Sequence, residues 1–135
     1  MKDNDCIFCK LASGEIPSAT IYEDADFRVI LDLSPASKGH ALIIPKEHYR
    51  NLYDLDDALA SKALVLAKKM ICKMKDVLGC DVYNIVQNNE EPAGQTVFHF
   101  HMHLIPRYEG DQVGLGWKMG ELTDADKAEI LDKLK

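Results

Sequence analysis

The chain has 135 residues, 28% of them charged and 47% hydrophobic, with a formal net charge of −6. This is an ordinary globular composition at the usual size of one domain, expected to span residues 1–135 and able to bury a core without staples. The acidic balance argues against a sequence-independent grip on DNA or RNA, which needs a basic footprint, but leaves room for a local pocket that takes a small phosphorylated ligand.

No apolar run approaches the ~18 residues of a membrane span. The opening MKDNDCIFCK lacks the apolar stretch and small-residue cleavage site of a secretory signal. The expected location is therefore the cytoplasm, where Cys6, Cys9, Cys72 and Cys80 are thiols or metal ligands rather than disulfides.

In chain order, Cys6 to Leu11 reads as a short knuckle or turn ending near Gly14 and Pro17. Thr20 to Tyr22 and Asp26 to Asp32 read as strands, the second with Phe27, Val29 and Leu31 on one face. Ser34-Pro35 and Lys38-Gly39 mark a turn. His40 to Ile44 is a nearly continuous apolar run closed by Pro45, which suits a central strand. Leu55 to Leu78 carries the strongest helical period, in Leu55, Leu59, Leu66, Met70, Met74 and Val77. Asp54, Asp56 and Asp57 suit its N-terminus, and Gly79 suits its C-terminal cap. Val82 to Val86 is a further strand. Val97 to Ile105 then alternates strictly, with Phe98, Phe100, Met102 and Leu104 opposite His99, His101 and His103. Thr123 is placed to cap a short C-terminal helix. This order predicts an α+β domain with a mostly antiparallel sheet.

Residues two apart on a strand share a face, so the three histidines form a row with roots ~6.5–7 Å apart. Such a row is a solvated polar face, a metal site, or a site of phosphate chemistry. For the last, a neutral imidazole is a competent nucleophile and its neighbour can supply protons or charge.

The run His99-Phe100-His101-Met102-His103-Leu104-Ile105 resembles the signature of the histidine-triad (HIT) superfamily of nucleotide hydrolases and transferases, in particular its bacterial Hint-like branch. The resemblance extends to Cys6-Ile-Phe-Cys9, Leu31-Asp-Leu-Ser-Pro35, Gly39-His40-Ala-Leu-Ile-Ile-Pro45-Lys46 and Gly94-Gln95-Thr96-Val97-Phe98, in the family's order and spacing. It implies a HIT-like fold of about five strands with one long helix and a short C-terminal one. It also implies that His101 attacks the α-phosphorus of a nucleotide conjugate and forms a covalent nucleotidyl-imidazole. His103 would contact the phosphate and protonate the leaving group.

Other positions acquire roles in the same way. Taken alone, Gly94-Gln95-Thr96 is a turn, Asp32 a strand-end carboxylate and His40 a core histidine. By resemblance, Gln95 and Thr96 hold phosphate oxygens beside Gly94. Asp32 accepts from the ribose hydroxyls. Asn88, or its neighbour Asn89, contacts phosphate or ribose. His40 supports the triad from behind. Leu33, with Phe8 and Ile7, either lines an apolar slot for a purine base or packs in the core.

Cys6-x-x-Cys9 is half of a tetrahedral zinc site. A redox role is disfavoured, because no strand precedes it. Cys72 and Cys80 are candidate partners by type, or small apolar fillers. The resemblance instead implies the set Cys6, Cys9, His48 and His99, whose four ligands leave no position for substrate, so the Zn2+ is structural. It further implies a homodimer and a purine nucleotide as ligand, with the Tyr108 to Gly120 segment and its Trp117 contributing to substrate choice. Two rival readings are a nucleotide sensor with incidental turnover and a metal-dependent hydrolase using all three triad histidines.

Overall fold

The computed structural model describes residues 3–135, so the expected 1–135 unit is seen without its first two positions. Five strands form one antiparallel sheet: β1 (Thr20–Glu23), β2 (Phe27–Leu31), β3 (Ala41–Pro45), β4 (Tyr83–Val86) and β5 (Met102–Pro106), in the order β1-β2-β3-β5-β4. The central β3 is buried along its whole length, as its unbroken apolar run predicts.

Among the described residues, three α-helices complete the fold: α1 (Ile7–Ser13), α2 (Asp57–Leu78) and α3 (Asp124–Leu134), with one 3-10 turn at Glu91–Ala93. The α2 helix packs Ala63, Leu66, Ala67, Met70 and Met74 against one face of the sheet, where Phe27, Val29, Ile43, Phe100 and Leu104 meet them. The α1 helix covers the other face, with Phe8 and Ala12 on Ile30, Leu42 and Ile44. In the β3–β5 register Leu42 lies opposite His103. His103 is therefore on the α1 side of the sheet, and the Phe8 ring of α1 lies against His99 and His101.

Several boundaries differ from expectation for physical reasons. The N-terminal stretch is a helix rather than a knuckle, capped by Cys6 Sγ accepting from Cys9 N at 3.4 Å and closed by Gly14 at φ 87°. The long helix starts at Asp57, because the Asp54 carboxylate accepts from Arg50 N and Asn51 N in the preceding turn. Val77 points outward at 76% exposure instead of continuing the buried face. Leu31 is likewise exposed at the sheet's end. Thr123 caps α3 as expected, accepting from Asp126 N at 3.1 Å.

The largest difference is in the alternating segment. Its ladder begins only at Met102, and residues 97–101 are not strand. Two long-range bonds replace the ladder there. Phe100 N donates to Tyr49 O at 2.6 Å, and His99 Nε2 donates to Pro45 O at 2.8 Å. Phe100, Met102 and Leu104 still face the core, but Phe98 is turned out, with the Arg50 guanidinium 4.2 Å above its ring. Among the described residues, no helix is long and apolar enough to cross a membrane.

Candidate active site and metal centre

Hydrogen-bond partners assign the ring proton of His101, His40 and His103. His101 Nδ1 lies 2.8 Å from the His99 carbonyl. A carbonyl only accepts, so Nδ1 bears the proton and Nε2 keeps its lone pair. Burial lowers the pKa of His101, which keeps the ring neutral. Its edge packs on the Phe8 ring, with centroids 4.9 Å apart.

His40 and His103 form a directed relay. Ala36 N–H donates to His40 Nδ1 at 2.9 Å, so the neutral His40 is protonated on Nε2. That Nε2–H donates to His103 Nδ1 at 2.9 Å and leaves the His103 proton on Nε2. Burial, with His101 and His40 beside it, pushes His103 down to about 4. Burial likewise lowers His40 against the pull of Asp32. The 3.6 Å approach of His40 Nε2 to Asp32 Oδ2 is therefore a dipolar contact rather than an ion pair.

His101 and His103 open on a cleft of about 380 Å³ that Asp32, Leu33 and Thr96 also line. Phe8, Leu11 and Val97 supply apolar wall. Ile7 lies outside this cleft. Leu33 is 91% exposed at the rim, which rules out core packing for it. The Asp32 carboxylate turns the loop by accepting from Ser34 N at 2.8 Å through Oδ1.

The loop between β4 and β5 separates the two asparagines. Asn89 is tied to the next loop, its Oδ1 accepting from Leu52 N and Gln87 Nε2, both at 2.9 Å. The Asn88 side chain makes a long 3.5 Å contact to Gly94 O, while its backbone carbonyl accepts from Gln87 Nε2 at 3.1 Å. Gly94 adopts φ 101°, where a side chain is strained, and an added Cβ would stand 3.3 Å from Asn88 Nδ2. Thr96 is exposed on the cleft.

The Gln95 side chain, expected at the phosphate, is turned away from the cleft. It is 2% exposed, its Nε2 donates to Arg50 O at 2.7 Å and Val97 O at 3.0 Å, and its Oε1 accepts from Glu90 N at 2.7 Å. Its backbone N–H is also taken, by Glu90 O. No donor remains for a phosphate. The Arg50–Glu90 pair that encloses it gave no signal in the sequence.

The third triad histidine belongs to a different centre. Because His99 Nε2 is spent on Pro45 O, its bare Nδ1 faces Cys6 Sγ at 3.3 Å and Cys9 Sγ at 3.4 Å. His48 Nδ1 lies 3.4 Å from Cys9 Sγ. The four ligand atoms of Cys6, Cys9, His48 and His99 all lie within 4.8 Å of one another. A tetrahedral zinc with ordinary bond lengths holds sulfur and nitrogen about 3.5 Å apart, so the donor set and its spacing fit this ion. Asp3 N and Cys9 N each approach a sulfur at 3.4 Å, the outer hydrogen bonding such thiolates need. Cys72 is exposed and Cys80 donates to Val82 O and Arg107 O, so neither joins the group. Among the described residues, no candidate metal group gathers the three triad histidines; the other group is Asp32, His40 and His103.

The HIT domain model matches residues 13–110. The chain belongs to the HIT family. It is 43% identical over 132 residues to the adenosine 5′-monophosphoramidase of Saccharomyces cerevisiae, covering 97% of this chain and 80% of that one. A solved structure from Streptococcus mutans superposes with a TM-score of 0.92 at 39% identity, covering 98% of this chain and 85% of the other. A Zn-bound histidine triad family protein from Mycobacterium smegmatis gives a TM-score of 0.77 at 31% identity, with 97% and 98% covered. The five-stranded antiparallel sheet with three helices is thus the HIT fold, as expected.

Proposed function

We propose that this HIT protein is a hydrolase or transferase cleaving purine nucleoside monophosphate conjugates at the α-phosphorus. The observation that carries the proposal is the bond from His101 Nδ1 to the His99 carbonyl, which directs a neutral Nε2 lone pair to the cleft. The phosphoramidase activity named for the yeast relative supports the same class.

The geometry supports a two-step displacement. His101 Nε2 attacks phosphorus, the bond to the leaving nitrogen or oxygen breaks, and that group takes the Nε2 proton of His103 in its cationic form, which returns to neutral. Water then attacks the nucleotidyl-His101 and passes a proton to His103, and the electron pair of the breaking P–N bond returns to His101. Two steps with an imidazole leaving group are easier than one direct displacement. An incoming phosphate's negative charge raises the low pKa of His103, which arms it as the acid when substrate is bound. His40 touches no substrate; it sets the His103 tautomer. Asp32 faces the ribose hydroxyls, Thr96 and the Gly94 backbone face the phosphate with Asn88 beside them, and Phe8 and Leu33 flank the base.

Zinc bound by Cys6, Cys9, His48 and His99 would fasten α1 to the 48–54 loop, and four protein ligands leave it no position for substrate. A homodimer would cover the apolar hollow between α2 and the exposed β4 edge, lined by Leu64, Val65, Ile71 and Ile85. The whole chain acts as a single HIT unit in this reading. The test compares adenosine phosphoramidates with dinucleoside polyphosphates as substrates, using wild type and His101→Asn. The variant binds adenosine 5′-monophosphate and turns over neither. A wild type that binds the nucleotide yet cleaves no conjugate would favour a sensor.

A further inference from the structure

The loop carrying Asn88, Gly94 and Thr96 is fastened by a residue in an unusual backbone state. Glu90 has φ 74° and ψ 162°, and it is the single non-glycine residue with positive φ among the described residues. That region is nearly confined to glycine, and other residues persist there only where their surroundings over-determine it.

The surroundings of Glu90 do so. Its carboxylate accepts from Arg50 Nε at 2.8 Å and Arg50 Nη2 at 2.9 Å, a bidentate fork, and also from Asn51 Nδ2. Asn51 is buried at 4% exposure, so this partner is not replaceable by water. The Glu90 N–H donates to Gln95 Oε1 at 2.7 Å, while its carbonyl accepts from Ala93 N and Gln95 N. Next in the chain, Asn89 Oδ1 accepts from Leu52 N. The loop is thereby stitched to residues 49–54 at several points. Gln95 leads directly into Thr96 at the cleft. Arg50 is braced in turn by the Phe98 ring at 4.2 Å.

We infer that Glu90 is a positioning residue: clasped by Arg50 and Asn51, its carboxylate holds the 88–96 loop in the shape that presents Asn88, Gly94 and Thr96 to the substrate phosphate. This rests on the nucleotide reading above. The Arg50 and Glu90 side chains are 53% and 43% exposed, and an isolated pair of that kind contributes little. The hold comes from the fork combined with the buried amide and the fixed backbone.

Two measurements on the full, zinc-loaded chain test it: amide hydrogen exchange across residues 88–96, and the Kd for adenosine 5′-monophosphate by titration calorimetry. Glu90→Gln keeps an acceptor for Asn51 but loses the charged fork. It is expected to speed exchange across the loop and raise Kd about tenfold, the loss of one charged hydrogen bond, with kcat at saturating phosphoramidate within about twofold of wild type. Glu90→Gly accepts the φ without strain, so it isolates the carboxylate and is expected to raise Kd similarly. Unchanged exchange in Glu90→Gln, or wild-type affinity in Glu90→Gly, overturns the inference. So does a fall in kcat that tracks a lowered Tm, because that marks a merely structural role. If wild type binds no nucleotide while exchange still responds to Glu90→Gln, the nucleotide reading fails and the clasp's phosphate role falls with it.

Discussion

His99 serves His101 through its backbone and the cysteines through its ring. Its carbonyl accepts from His101 Nδ1 at 2.8 Å, while its Nδ1 lies 3.3 Å from Cys6 Sγ. One residue thus links the candidate metal centre to the tautomer of the proposed nucleophile. The roles of the three histidines are unequal because their partners differ.

The relay from His40 makes a kinetic prediction. His40→Leu removes the donor that fixes the His103 proton on Nε2. Losing one buried orienting hydrogen bond at a general acid should lower kcat roughly 10- to 100-fold. The Kd for adenosine 5′-monophosphate should stay within about twofold, since His40 reaches no ligand. Steady-state kinetics paired with calorimetry would read both, and a change confined to Kd would refute the relay.

Metal removal should act on stability. Zinc is expected to purify with the protein at one per chain and to be lost in Cys6→Ser. Releasing α1 from His48 and His99 would then lower the melting temperature. A loss of ~2 kcal/mol corresponds to about 6–10 °C for a domain of this size. Cys72→Ser should keep both metal and melting temperature, because Cys72 is exposed on α2. Metal lost on changing Cys72 would refute the proposed ligand set.

Gln95 should behave as a buried structural amide. Gln95→Leu leaves Glu90 N, Arg50 O and Val97 O without partners. These backbone groups belong to half-buried or exposed residues that water reaches in part, so a combined loss on the order of 3 kcal/mol, at the low end for three unsatisfied groups, is expected by urea denaturation. A variant as stable as wild type, with phosphate affinity alone reduced, would restore Gln95 as a direct ligand.

Acid should destabilise the fold through His103. Its native pKa is depressed to about 4 from an ordinary 6.5, chiefly by burial. The native state therefore refuses a proton that the unfolded state accepts. The contribution is complete above pH 6.5 and is lost as pH falls toward 4. The stability gap between wild type and His103→Asn should narrow as pH is lowered through that window. A gap constant with pH would contradict a buried neutral His103.

How much was legible in the sequence depended on the range of the interactions. The buried β3, the α2 positions Leu66, Met70 and Met74 and the Thr123 cap follow from local pattern, and the structure agrees. The metal group joins residues 6 and 99, a pairing visible only through the family resemblance. Residues 97–101 look like strand because side chains alternate, yet their backbone bonds to Tyr49 and the ring of His99 takes the Pro45 carbonyl. No local pattern encodes those partners. The α1 helix carries little helical signal in the sequence because it is two turns long and capped by a thiol. Gln95 turned inward because the Arg50 carbonyl and the Glu90 amide offered it a closed set of partners.

The central claim is a covalent bond to His101. The direct measurement mixes the protein with an adenosine phosphoramidate, quenches in acid-free denaturant within the first turnover, and maps adducts by peptide mass spectrometry. The account predicts one adenylyl group, on His101, chased by water and absent in His101→Asn. Full turnover in that variant, or an adduct on His99 or His103 instead, would contradict it.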